Sequence, residues 1–243
     1  MKQKISLIIP AFKAGGFIKD ALQKKIEILE KLYIPYEIIV VVDGTDEGTK
    51  KALQGFKNKK NIIVYYLPKN YGKGYAVRYG MMRINSDFVG YMDVDNDIEP
   101  NVLRDGFLAI MAKKYDAILP SKRHYKSKIN YPTSRKFISK IYNKIITTLF
   151  QLNCTDTQLG AKFYSKELLD VVLPQCRING FAFELEMLTI AVINGFGNFL
   201  EIPVTVNLKT QSTIAFSHGI HVCIDTLMLL PRLRHIHDKK KHK

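Results

Sequence analysis

An α/β fold with a doubly wound, mostly parallel sheet is predicted by three features of the chain. Apolar, β-branched runs recur; segments with helical spacing of apolar residues alternate with them; and acidic or glycine-rich turns fall where the strands end. In such sheets ligands sit beyond the carboxyl ends of the strands. The most pointed of these turns is Asp93-Val94-Asp95-Asn96-Asp97, which follows the apolar run Phe88 to Met92. Carboxylates at alternate positions there can converge on one hard divalent cation.

The elements follow in order. Ile5 to Ile9 reads as a strand buried on both faces and closed by Pro10, and a Gly15-Gly16 loop comes next. From Phe17 to Leu32 the apolar positions Phe17, Ile18, Ala21, Leu22, Ile26, Leu29 and Leu32 keep helical spacing, with Lys, Glu and Gln between them. Glu37 to Val42 repeats the buried-strand pattern, and the polar turn Asp43 to Thr49 opens a helix toward Phe56. Ile62 to Tyr66 is the third strand and Phe88 to Met92 the fourth.

Between the third and fourth strands, Asn70-Tyr71-Gly72-Lys73-Gly74 runs into a helix. It is not a dinucleotide fingerprint, because Val77 stands where the third Gly belongs, and it lacks P-loop spacing. Its backbone amides, with Lys73 and Arg78, can still approach an anion, although a plain helix-entry turn is the simpler meaning. Pro100 opens a helix through Leu103, Phe107 and Ile110, and Ala117 to Leu119 is a further strand, followed at once by Ser121-Lys122-Arg123-His124. Ser134-Arg135-Lys136 leads a helix in which Arg135, Ser139 and Asn143 recur at i, i+4, i+8, a row that faces either a ligand or solvent. Asp156 to Tyr164 is a polar loop entering a strand-like run, and Phe183-Glu184-Leu185-Glu186 opens an apolar helix through Ile193. Its acids serve either acid/base chemistry or the helix dipole.

With 243 residues, 47% of them hydrophobic, the chain can bury one substantial core and carry one appended element. We expect one domain over 1–210 and an amphipathic, basic segment over 211–243, where Ile220, Ile224, Leu227 and Leu230 precede a run of Lys, Arg and His suited either to an anionic membrane surface or to a core-packed terminal helix with a frayed basic tail. A net charge of +15 points to an anionic partner. No nucleic-acid motif is present and the basic residues are dispersed, which argues against nucleic acid. Cys154, Cys176 and Cys223 are odd in number and widely spaced, so neither a disulfide framework nor a thiolate zinc site is expected, and a reducing cytoplasm fits. No signal-peptide core is seen, and no stretch reaches the ~18 apolar residues of a membrane span, so a soluble or peripheral protein is expected.

Other meanings of the aspartate turn are a solvated turn, a calcium loop and an aspartyl phosphatase. The calcium loop fails on spacing, because Ile98 stands where Gly is required and Arg104 where Glu is. The phosphatase uses Asp-x-Asp with the first Asp as nucleophile. Its nucleophile ordinarily lies on an early strand, and a Thr or Val is expected where Asp97 sits.

Six segments in one order resemble the inverting family two glycosyltransferases of the GT-A fold, and most closely the polyprenyl- or dolichyl-phosphate glucosyl- and mannosyltransferases. They are Ile8-Ile9-Pro10-Ala11-Phe12, Val41 to Thr49, Asn70 to Arg78, Asp93-Val94-Asp95, the row Arg135, Ser139, Asn143, and Asp156-Thr157-Gln158, within Ile5 to Val206. The resemblance implies that Pro10, Ala11, Phe12, Asp43, Asn70, Gly72 and Lys73 bind a UDP- or GDP-linked sugar donor, and that Asp93, Asp95 and Asp97 hold Mg²⁺ or Mn²⁺ on its diphosphate. Arg123, Arg135 and Ser139 are implied to grip the phosphate of a polyprenyl acceptor, with Asp93, Asp95, Arg123, Arg135 and Asp156 as the catalytic set. Two positions depart from the pattern: Val42-Asp43, where the family usually has a pair of acids, and Asp97, where Gln is common.

The implied reaction is a metal-dependent, inverting transfer at the cytoplasmic membrane face, by a peripheral enzyme that is compatible with a homo-oligomer. The alternative is transfer to a sugar hydroxyl of a glycan or glycolipid. A general base is then needed, and Asp156, Glu184 or Glu186 are the candidates.

Overall fold

The computed structural model describes residues 3–130, 150 and 152–207. The expected helix led by Arg135, Ser139 and Asn143 and the expected basic segment over 211–243 lie outside the described residues. The apolar runs become strands because both faces of the sheet they form are covered. They are β1 (Ile5–Ala11), β2 (Tyr36–Val42), β3 (Ile62–Tyr66), β4 (Phe88–Met92), β5 (Ala117–Pro120), β6 (Lys128–Asn130), β7 (Ala161–Ser165), β8 (Phe199–Ile202) and β9 (Thr205–Asn207). The main sheet has seven strands in the order β3-β2-β1-β4-β7-β5-β8, and β6 and β9 pair as a separate parallel ribbon.

Within the main sheet only β7 runs antiparallel, wedged between β4 and β5. The expectation of a mostly parallel, doubly wound sheet therefore holds. Strand order leaves β1 toward β2 and β3, then returns to place β4 on its other side. That reversal opens a crevice at the carboxyl ends of β1, β2 and β4, the place where open α/β sheets hold ligands.

Alternation along the strands divides the interior in two. Ile8, Ile39 and Val41 face one core, while Leu7, Ile9, Ile38 and Val40 face the other. The first core is closed by α3 (Lys73–Met81), α5 (Lys166–Val172) and α6 (Phe183–Ile193), and the second by α1 (Ile18–Glu30), α2 (Glu47–Leu53) and α4 (Val102–Met111). The helix α6 is buried from Phe183 through Ala191, acids included, which is why it lacks a polar face. In α2 the side chain of Asp46 caps the helix by accepting from Gly48 N at 3.2 Å and Thr49 N at 3.3 Å.

One local expectation is corrected, and one feature is new. Pro10 does not end the first strand: β1 continues to Ala11, with Pro10 opposite Val41. The ribbon of β6 and β9 was not anticipated, because three-residue strands carry too little periodicity to register.

The second residue of β7, Lys162, is wholly buried. Its ammonium donates to Leu159 O at 2.8 Å and Tyr91 Oη at 3.4 Å and pairs with Glu184 at 3.1 Å. Lys162→Met leaves Glu184 buried with one cation instead of two, and should lower unfolding free energy by about 3 kcal/mol in urea titrations. An unchanged midpoint would show that the pair contributes nothing.

Candidate active site

Asp43 leaves the end of β2 and Asp93 the end of β4, on either side of β1, so two of the expected residues meet at the crevice. Phe12, just past β1, is 48% exposed at its rim, whereas Pro10 and Ala11 are buried in the strand.

The carboxylate of Asp93 is gripped from the glycine loop. Lys73, the first residue of α3, places Nζ 2.9 Å from Asp93 Oδ1 and 3.0 Å from Oδ2. The same ammonium lies 3.0 Å from Glu184 Oε1, and Glu184 Oε2 in turn meets Lys162. Burial opposes charge on Lys73, but Asp93 and Glu184 outweigh it and hold the ammonium above the usual lysine range. Burial would raise Glu184 too, yet Lys162 and Lys73 bring its carboxyl below the ordinary value. The floor under Asp93 is Gly160, whose carbonyl accepts from Asp93 N at 2.8 Å. A Cβ at Gly160 would collide with the Asp93 carboxyl group.

Asp95 sits over another buried cation. Lys25, wholly buried on α1, donates to Asp95 O at 3.3 Å. Burial pushes this ammonium down to about 8, although Asp95 and Asp93 pull the other way. Asp97 turns its amide onto Asp95 Oδ1 at 3.2 Å. Among the described residues no three His, Cys, Asp or Glu side chains are gathered closely enough to hold a metal ion, so Asp93, Asp95 and Asp97 do not form the expected three-carboxylate cage.

Two of these carboxylates still suit a cation. Burial, and then the neighbouring acids, raise both Asp93 and Asp95 above the usual carboxylate range even with Lys73 and Lys25 nearby. Two hard oxygen donors fit a magnesium-like ion that takes the rest of its shell from phosphate and water.

Asp43 is only 4% exposed, and its two oxygens accept from Tyr71 N at 2.7 Å and Gly72 N at 2.8 Å. It thereby shapes the loop that carries Asn70, Gly72 and Lys73. Gly72 has φ +103°, and a Cβ there would lie 2.5 Å from Asn179 O. Asn179 O also accepts from Tyr75 N at 3.2 Å, and its side chain accepts from Arg78 at 2.6 Å. The loop before α6 therefore clamps the glycine loop.

The other flank carries Arg123, half-buried just past β5, its amide donating to Ser121 Oγ at 3.1 Å. Beneath it Asp156 is wholly buried and accepts from Lys122 N at 3.1 Å and Gln158 N at 3.2 Å. Glu186, also wholly buried, accepts from Arg177 N and Ile178 N, at 2.9 and 2.8 Å. Arg135 and Ser139 lie outside the described residues.

Sequence reading passed over Lys25, Lys162, Gly160 and Asn179. Lys25 alone left a signal, since it stands among Leu22, Ile26 and Leu29 on the apolar face of α1. The others are defined by what lies across the fold.

The chain matches the family model described as glycosyl transferase family 2 over residues 6–173. It is 25% identical over 236 residues to a dolichyl-phosphate beta-glucosyltransferase of Trichomonas vaginalis, covering 93% of this chain and 72% of that protein. It is 26% identical to an undecaprenyl-phosphate 4-deoxy-4-formamido-L-arabinose transferase of Proteus mirabilis, covering 71% of this chain and 52% of that protein. Glucosyl-3-phosphoglycerate synthase of Mycobacterium tuberculosis, crystallised with Mn²⁺, UDP and glucosyl-3-phosphoglycerate, superposes with TM-score 0.68 at 16% identity, covering 93% of this chain and 79% of that one. For mannosyl-3-phosphoglycerate synthase of Rubrobacter xylanophilus the TM-score is 0.73 at 16% identity, over 96% and 74%. These structural likenesses establish the GT-A fold. Because the family model covers more than half of the chain, from β1 through the Asp93 turn to the end of α5, the protein belongs to glycosyl transferase family 2 and is a glycosyltransferase.

Proposed function

We propose that the enzyme transfers a sugar, with inversion, from a UDP- or GDP-linked donor to a polyprenyl phosphate at the cytoplasmic face of a membrane. The observation that carries the choice of acceptor is the state of the three candidate bases. Asp156 and Glu186 are wholly buried, Glu184 is 2% exposed, and all three are held by amides or ammonium groups. A hydroxyl acceptor needs a carboxylate free to take its proton. A phosphate acceptor brings an oxygen that is already anionic, so these buried acids can remain structural. The names of the Trichomonas and Proteus relatives agree with that acceptor class.

In this reading an acceptor phosphate oxygen attacks the anomeric carbon as the bond to the nucleoside diphosphate breaks on the opposite face, through an oxocarbenium-like transition state. Phe12 and the loop shaped by Asp43 hold the nucleoside, and Lys73 sits beside the diphosphate. Asp93 and Asp95 would hold Mg²⁺ or Mn²⁺, which when bound would supply Lewis-acid stabilisation of charge on the leaving diphosphate. Arg123 and Arg135, with Ser139, grip and orient the acceptor phosphate. Asp156 acts indirectly, by fixing the turn that carries Arg123. No helix among the described residues is long and apolar enough to cross a membrane. The net charge of +15 suits attachment to an anionic surface, where the acceptor resides.

Arg123→Ala and Arg135→Ala should each lower kcat/KM for a short-chain polyprenyl phosphate by about 10- to 100-fold, the worth of a charge-assisted hydrogen bond. Full activity in both variants would remove the lipid-phosphate reading. A thermal-shift series of UDP- and GDP-sugars should raise Tm with one nucleotide, and more so with Mn²⁺ present. A shift indifferent to Mn²⁺ would count against metal at Asp93 and Asp95. Gly160→Ala displaces the Asp93 carboxylate and should abolish the added Mn²⁺ shift while leaving the protein folded. If that increment survived, the placement of Asp93 on Gly160 would not matter for the donor.

A further inference from the structure

The ion pairs that reach Asp93 balance in charge. Asp93 and Glu184 face Lys73 and Lys162, two acids against two bases, with Lys73 bridging both acids at 2.9 to 3.0 Å. Lys25 donates at 3.3 Å to the backbone oxygen of Asp95 on the other side of the turn. A divalent ion added to Asp93 alone must compete with an ammonium already on both carboxylate oxygens, and it leaves the set with surplus positive charge in a half-buried place. A diphosphate reverses this, because it brings the negative charge that both cations then share.

Exposure separates the two acids. The side chain of Asp93 is 29% exposed and that of Lys73 14%, whereas Glu184 is 2% exposed. Asp93 can therefore exchange its cation while Glu184 stays out of solvent. Lys73 is tethered by Glu184 and flanked by the rings of Tyr91 and Phe181, with Nζ 5.8 and 5.9 Å from their centroids. It can loosen from Asp93 without losing every partner.

We propose that Lys73 is a resident cation on Asp93 that yields to a divalent ion only as a nucleoside diphosphate arrives, making metal and donor binding interdependent. This rests on Asp93 and Asp95 holding metal, as above. Lys73 suppresses metal binding to the empty enzyme and then pairs with the diphosphate, and Glu184 keeps it within reach of both positions. By linkage, the factor by which nucleotide tightens metal equals the factor by which metal tightens nucleotide.

The test is Mn²⁺ binding to the full chain, read from the electron paramagnetic resonance signal of free Mn²⁺, alone and with UDP or GDP, each series measured against a protein-free titration that gives the Mn²⁺ the nucleotide chelates by itself. The wild type should bind Mn²⁺ weakly alone and on the order of tenfold or more tightly with its nucleotide. Lys73→Met should bind Mn²⁺ alone about tenfold more tightly than the wild type, with a nucleotide effect smaller than the wild type's because only the ligands supplied by the diphosphate remain to couple the two. Lys73→Gln, which can still donate to Glu184, reads the same shift should the Met variant fail to fold. If both variants bind Mn²⁺ alone no better than the wild type while wild-type coupling persists, the resident-cation proposal is overturned and the metal reading stands. If the wild type takes up no Mn²⁺ with either nucleotide, both fall.

Discussion

The arrangement of the site depends on one bridging ammonium. Lys73 joins Asp93, at the end of β4, to Glu184, at the start of α6, and so ties the glycine loop, the acidic turn and the buried helix together. Remove it and two carboxylates face each other across a low-dielectric gap, a costly arrangement unless another cation takes its place. Lys162 supports the bridge from beneath by sharing Glu184, and its own burial is tolerated because β7 presents it directly to that acid. A single antiparallel strand in an otherwise parallel sheet thus has a local consequence: it brings Gly160 and Lys162 to the end of β4 where Asp93 emerges.

Backbone contacts set the rest of the geometry. The carboxylate of Asp43 is occupied by two amides of the glycine loop, so what it sets is the shape of that loop. Gly72, with its positive φ and its close approach to Asn179, and Gly160, pressed on Asp93, leave no room for a side chain. The glycines belong to the site because of the space they leave.

Two sides of the crevice carry different work. The β1, β2 and β4 side holds acids and the Lys73 bridge, and in the proposed reaction it manages the leaving diphosphate. The β5 side holds Arg123 on a turn anchored by Asp156, and Glu201 on β8 steadies Asp156 in turn by accepting from its amide at 3.2 Å. Asp156, buried on this flank, organises backbone and stays out of contact with solvent. That division agrees with an acceptor whose nucleophile needs holding and no deprotonation.

By itself the sequence determined the fold class, the first four strands to within a residue or two, and the acidic and glycine-rich turns that follow them. Those signals are local: buried β-branched runs, turn chemistry and alternation of carboxylates after Met92 all act within a few residues. Family resemblance on the same segments named the chemistry. Only tertiary structure decided which charges are paired, because Lys73 and Glu184 lie more than a hundred positions apart and their meeting depends on how α6 packs under the glycine loop. It also decided how the acidic turn is tied down, since the Asp97 amide donates to Asp95 and Lys73 holds the Asp93 carboxylate. Lys162 reads as an ordinary lysine in a linear chain, and Lys25 is marked only by its place on the apolar face of α1. Packing made them interior cations, for an ammonium stays buried only where the fold sets oxygens around it.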